Sequence, residues 1–121
     1  MTKGQIEAQI SEAIIKFEKD YMGRCPSETK TYIINDMILV RLRGVLTPAE
    51  VQLAKANDGA DLIKKTRVRL LENARYLLEN IVSTITGYSV ISLHSDISVK
   101  TGERIIIFIL NKAFEDKENI I

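Results

Sequence analysis

The chain has 121 residues, with 17 Lys plus Arg against 16 Asp plus Glu, a length that suits one domain of ordinary size and is too short for two. Its 45% hydrophobic and 27% charged residues exclude a chain too polar to offset its own ordering entropy. A net charge of +1 excludes a dedicated nucleic-acid coat protein, because it creates no field strong enough to gather polyanions.

The single cysteine, Cys25, and the single histidine, His94, leave no intramolecular disulfide, no cysteine-rich zinc site and few ligands for a transition metal. No cofactor and no metal are expected. The N-terminal stretch MTKGQIEAQI lacks the apolar core of a signal peptide. The longest apolar run, Ile105 to Leu110, falls far below the roughly 20 residues that span a bilayer. A soluble chain in the reducing cytoplasm is expected.

Thr2 to Tyr21 reads as an amphipathic helix. Ile6, Ile10, Ala13, Ile14, Phe17 and Tyr21 recur at three- and four-residue spacing, while Glu7, Glu12, Lys16, Glu18 and Lys19 fall mainly elsewhere, and Gly23 is placed to end it. Thr31 to Leu42 is rich in β-branched and aromatic residues and is interrupted by Asn35-Asp36, a pair that tolerates the positive φ of a two-residue hairpin turn. Lys30–Ile34 then pairs with Met37–Arg41. Ile34 opposite Met37 puts Tyr32, Ile34, Met37 and Leu39 on one face and Ile33, Ile38, Val40 and Leu42 on the other. Both faces are apolar, so a second cover is expected besides the helices, and a partner subunit supplies it most economically.

Thr47-Pro48-Ala49-Glu50 combines an N-cap hydroxyl, a proline at the first helical position and a glutamate able to reach back to the cap. It opens a short helix that Asn57-Asp58-Gly59 interrupts. Asp58 with Asp61 is a second capping pattern, opening one long helix that carries Ile63, Leu70, Ala74, Leu77, Leu78, Ile81 and Ile85 and ends at Gly87. Tyr88 to Ser98 alternates, with Ser89, Ile91, Leu93, Ser95 and Ile97 on one side and Tyr88, Val90, Ser92, His94 and Asp96 on the other. Lys100-Thr101-Gly102-Glu103 provides turn chemistry, and Arg104 to Leu110 returns as a strand apolar on both faces. The charged tail after Ala113 is expected to fray.

The order α-ββ-α-α-ββ predicts an α+β two-layer sandwich, with a four-stranded antiparallel sheet made of two hairpins and helices on one face. Residues 1–121 form one domain in this reading, without a linker or low-complexity stretch.

Residues able to do chemistry are few. His94 and Asp96 stand two apart on a strand and share a side, so the carboxylate could orient the imidazole as a general base. The plainer reading is a polar strand face. Cys25 follows Arg24, a cation able to lower a thiol pKa, but with no CxxC or local histidine an inert, packed thiol is the plainer reading. Arg24, Arg41, Arg43 and the helix start at Thr47 are candidates for binding a small oxyanion. Lys30 facing Arg41 is a like-charge pair that an anion or a carboxylate must relieve, and ion pairing within the chain competes for these arginines. Lys64, Lys65, Arg67, Arg69 and Arg75 make the long helix locally basic. No exposed aromatic series or GxxG loop accompanies them, which reads as a solvated face before a nucleic-acid surface.

The segments Tyr21-x-Gly23-Arg24-x-Pro26, Tyr32-Ile33-Ile34-x-Asp36-Met37-Ile38-x-Val40-Arg41-Leu42-x-Gly44-Val45-Leu46-Thr47-Pro48-Ala49-Glu50, Ser92-x-His94-x-Asp96-Ile97-Ser98 and Thr101-Gly102-Glu103-Arg104 together resemble the MpsC family across nearly the whole chain. That family is named for a sodium-translocating, membrane-potential-generating system. Its pattern attaches no catalytic role to Asp36, Arg41, Arg43, Thr47, His94 or Asp96, and it carries glycine where this chain has Cys25, which separates the thiol from any shared function.

The resemblance implies a soluble accessory or regulatory protein associated with a bacterial sodium- or bicarbonate-type membrane transport system, acting by protein or anion binding and peripheral to the membrane through a partner. A small enzyme using His94 and Asp96, and a nucleic-acid-binding regulator using the basic helix, are the alternatives. A homodimer is expected, with Tyr32, Ile34, Met37 and Leu39 as candidates for its interface.

Overall fold

A computed structural model describes residues 1–115. Thr2 opens the first helix, α1 (Lys3–Phe17), with a full capping box: its hydroxyl accepts from the Gln5 amide while the Gln5 side chain accepts from the Thr2 amide. Ile6, Ile10, Ile14 and Phe17 form the buried stripe. The helix then widens into a π-helical turn, Glu18–Met22, before Gly23 ends it at φ 84°. That extra residue rotates the last turn. Glu18 continues the i, i+4 stripe of Ile6, Ile10 and Ile14 and is 1% exposed, while the wider turn leaves Tyr21 outside at 54%, stacked on Phe17 at 5.1 Å. The sequence placed these two residues the other way round.

The first hairpin follows the predicted register. Strands β1 (Glu28–Ile34) and β2 (Met37–Arg43) pair with Ile34 opposite Met37 and Lys30 opposite Arg41. Asn35 takes φ 56° in the two-residue turn. Helix α2 (Pro48–Leu53) is capped by Thr47 and Glu50 as the motif requires, and it buries none of its own residues. Asp58 precedes helix α3 (Gly59–Asn73) at φ 61°, and its side chain caps nothing. Gly59 is needed there because a β-carbon would lie 1.8 Å from the Leu53 carbonyl oxygen.

The expected single long helix is two, α3 and α4 (Arg75–Thr86), separated at Ala74, whose backbone leaves the helical region at φ −98°, ψ 6°. The break lets Ile63, Arg67 and Leu71 of α3 and Leu78 and Val82 of α4 face the same core, with Ala74 buried between them. Leu70 and Leu77, assigned inward from their spacing, are 37% and 40% exposed. Arg67, assigned to a solvated basic face, is 2% exposed.

Strands β3 (Val90–Ser98) and β4 (Glu103–Leu110) form the second hairpin, and β4 also pairs with β2, giving an antiparallel sheet in the order β1-β2-β4-β3. A bulge between Val90 and Ser92 reverses the alternation at the start of β3. Val90 therefore packs against the core and Ile91 stands 65% exposed, whereas unbroken alternation puts Ile91 with Leu93. The helices cover one face of the sheet, and Ile33, Ile38, Val40, Leu42, Ile106 and Phe108 are the centre of the core between the layers. After β4 the chain stays docked as far as Glu115. Phe114 meets the Tyr88 ring, its amide donates to the Asn35 carbonyl, and the Glu115 amide donates to the Tyr88 hydroxyl. The rest of the tail expected to fray, residues 116–121, lies outside the described residues.

Candidate functional site: the uncovered sheet face

Pairing registers arrange the outward side chains of the sheet in four rows across the strands. The first is Ile34, Met37, Ile109 and Ser92; the second is Tyr32, Leu39, Ile107 and His94. The third is Lys30, Arg41, Ile105 and Asp96. In the fourth, Glu28 pairs with Arg43 and Ser98 with Glu103, and Arg43 reaches Glu103 at 3.8 Å. Two rows are thus almost wholly apolar and two are mostly charged. Tyr32 and Ile34 are 43% and 45% exposed, and Met37, Leu39, Ile105, Ile107 and Ile109 are half-buried only by each other and their neighbours.

Such a face follows from β2 and β4 being apolar on both sides while helices exist for one side only. The edge strands, by contrast, carry side-chain contacts. Glu7 of α1 accepts the Ile33 amide at 2.8 Å and Ser11 meets Thr31 at 2.8 Å along β1. Along β3, Arg75 donates to the Leu93 carbonyl at 3.0 Å, and the Asp96 carboxylate accepts the amide of Ile97 and pairs with Lys64 at 3.2 Å. The Ile97 amide, with Lys64 beside it, holds the Asp96 carboxyl below the usual carboxylate range. These contacts occupy the Ile33 amide, the Leu93 carbonyl and the Ile97 amide on the edge strands, and the face remains open.

His94 and Asp96 share this face, but each has its own partner: His94 Nε2 lies 3.1 Å from Ser92 Oγ, and Asp96 is held by Lys64 and Ile97. Arg41 and Arg43 converge on Glu103, Arg41 at 2.7 Å, so a carboxylate of the chain relieves the cation crowding, and Glu28 stands 4.0 Å from Lys30. With Lys30, Tyr32 and Glu28, these arginines line a shallow concavity of about 150 Å³. Arg24 is not in it; its guanidinium donates to the Gly44 carbonyl at 2.9 Å and lines a separate open groove with Leu46, Lys55 and Lys100. Thr47 is occupied in the cap of α2. Cys25 is exposed, not packed.

Behind the sheet lies an ionic group that spacing does not reveal. Arg67 makes a two-pronged contact with the Glu50 carboxylate and donates to the Val45 carbonyl at 2.8 Å. Arg104, 2% exposed, lies 3.6 Å from Glu18. Burial pushes the Glu18 carboxyl up even though Arg104 and Arg67 oppose it, and burial pulls the Arg104 guanidinium down. The signal that could have found this group is the four-residue repeat Ile63, Arg67, Leu71, which puts an arginine on the buried stripe.

Among the described residues no cluster of His, Cys, Asp and Glu could hold a metal ion, and no helix is long and apolar enough to cross a membrane. In amino-acid sequence, the chain is 46% identical over 107 residues to "Uncharacterized protein YbcI" of Bacillus subtilis (strain 168), covering 88% of this chain and 86% of that protein. It is 19% identical over 115 residues to "Uncharacterized protein YrhF" of the same organism, covering 93% of each. No solved structure matches it. The family model described as Na+-translocating membrane potential-generating system (MpsC) matches residues 2–112, and the chain belongs to the MpsC family.

Proposed function

We propose that this chain is an accessory protein of a sodium-linked, membrane-potential-generating system, that it works by protein association and not by catalysis, and that the outer sheet face is its association surface. The observation that carries this reading is the uncovered pair of apolar rows built on Tyr32, Ile34, Met37, Leu39, Ile107 and Ile109. Contiguous exposed apolar surface on a folded domain marks an interaction site. The link to the membrane system rests on the family description. In this reading the protein is cytoplasmic and reaches the membrane through a partner, and the exposed free thiol of Cys25 fits a reducing compartment.

The experiment compares cells lacking the gene, cells given the wild-type chain and cells given Ile107→Asp at equal protein level, using a potential-sensitive cationic dye in sodium and in potassium medium. Loss of the gene is expected to lower the sodium-dependent potential, the wild-type chain to restore it and Ile107→Asp to fail. An unchanged potential without the gene would remove the link to the system. Full restoration by Ile107→Asp would remove the face.

A further inference from the structure

We propose that the outer sheet face is covered by a second copy of this chain, packed sheet on sheet about a two-fold axis parallel to the strands. This rests on the reading of that face as an association surface and names its occupant. With strands kept aligned, two copies can meet face to face about an in-plane axis that runs either across or along the strands. An axis across the strands inverts the rows, so the Ile34 row of one copy lies on the Glu28 row of the other and apolar side chains meet charges. An axis along the strands keeps each row over itself, so apolar rows meet apolar rows.

The same axis reverses the strand order, laying β1 over β3 and β2 over β4 of the other copy, given the order β1-β2-β4-β3. The charges fit that reversal. The outward positions of β1 and β2 carry Lys30, Arg41 and Arg43 against Glu28, while those of β4 and β3 carry Glu103 and Asp96 with no lysine or arginine. The basic half of each copy therefore lies over the acidic half of the other, twice by symmetry. Lys30 falls over Asp96, which also pairs with Lys64 of its own copy, and Arg43 over Glu103, which also pairs with Arg41 and Arg43 of its own copy. Strand directions aligned within about 30° are one of the two arrangements in which twisted sheets pack face to face, about 10 Å apart. Glu7, Arg75 and Asp96 engage single backbone groups on the edge strands, and the apolar rows lie on the face, where a second copy would cover them. The assembly is a four-layer sandwich with the helices outside.

Lys30 and Asp96 provide the test, because within one copy they lie on opposite edge strands, about 14 Å apart at ordinary strand spacing and beyond the screening length at physiological salt. Sedimentation equilibrium of the full chain gives the dimer dissociation constant. Lys30→Glu and Asp96→Lys are each expected to raise it about tenfold, and the double variant Lys30→Glu/Asp96→Lys to return it to near the wild-type value. Leu39→Asp, with circular dichroism confirming its fold, is expected to give monomers. A monomeric wild type at micromolar concentration overturns the proposal, as does a dimer that Leu39→Asp leaves intact. Weakened single variants without rescue in the double overturn the axis. If the wild type is monomeric while Ile107→Asp still fails to restore the membrane potential, the second copy is wrong and the association surface stands. If the dimer behaves as stated and Ile107→Asp restores the potential, the functional reading is wrong and the dimer stands.

Discussion

Arg104 and Glu18 are the least expected pair in the molecule, because two ions at 2% and 1% exposure forfeit hydration that a contact of 3.6 Å recovers only in part. Removing one ion leaves the other buried without its partner. Arg104→Met is therefore expected to cost about 3–5 kcal/mol, and the double variant Arg104→Met/Glu18→Leu distinctly less, which a urea-unfolding cycle over wild type, both single variants and the double variant measures. A double variant as unstable as the sum of the singles would show that the pair is not coupled. Gly59 is a simpler case. A β-carbon there would overlap the Leu53 carbonyl, whose backbone must shift to admit it, and Gly59→Ala is expected to cost about 1–3 kcal/mol by the same assay. Within one copy His94 lies on the outer face with Ser92 as its contact, so in the monomeric Leu39→Asp background His94→Ala is expected to change stability by no more than about 0.5 kcal/mol in urea unfolding; a larger loss would show that the ring is built into the fold.

Element by element, the hairpins were legible and the helices less so. Alternation and a two-residue Asn-Asp turn define both faces and the register of β1 with β2, because a slip of one residue would move every apolar side chain to the wrong side. The bulge that turns Ile91 outward left no such trace: Ile91 continues a regular alternation. The helix break at Ala74 was equally hidden, since alanine is the best helix former and no glycine or proline lies between Gly59 and Gly87. Glu18 stands on the four-residue repeat Ile6, Ile10, Ile14 and only its charge argued against burial, whereas Tyr21 turns outward because the π-helical turn changes the residue-to-face relation that the helical period assumes.

Helix α2 shows a third kind of dependence, for it buries no residue of its own and is held through Glu50, which closes the cap and grips Arg67. Burial pushes the Glu50 carboxyl up, but the Arg67 guanidinium and the Thr47 amide and hydroxyl outweigh it and hold the group below its ordinary range. A carboxyl depressed on folding contributes stability that is present above its unfolded pKa, about 4.3, and is lost as pH falls through the lower folded value. Glu18, raised on folding, has the opposite sign: its contribution is largest below the unfolded pKa and declines as pH rises through the folded one. Glu50→Gln is expected to lose about 1.5–3 kcal/mol at neutral pH and to show a shallower loss on acidification, measured as denaturation midpoints from pH 7 to pH 3. An acid limb of unchanged steepness would contradict this role for Glu50.

At the scale of the whole molecule, the sheet is one layer short of what its own residues call for. Strands β2 and β4 are apolar on both sides, and the helices cover one side. The candidate face was legible in part: Tyr32, Ile34, Met37 and Leu39 follow from the hairpin alone. Arg104 to Leu110, apolar on both faces, also reads as a strand inside the sheet or at a subunit contact, but the place of Ile105, Ile107 and Ile109 beside β2 comes from pairing, since strand order depends on non-local contacts that no local pattern encodes. Arg41 and Arg43 were recognised as crowded cations. Their relief by Glu103, 62 positions from Arg41, required the same pairing.

The central claim is that the outer face is an association surface occupied by a second copy, and sedimentation velocity on the wild type and Leu39→Asp at micromolar concentration tests it most directly. The account predicts a dimer for the wild type and a monomer of unchanged helix content for Leu39→Asp. A wild type that sediments as a monomer, or a Leu39→Asp variant that remains a dimer, would contradict it.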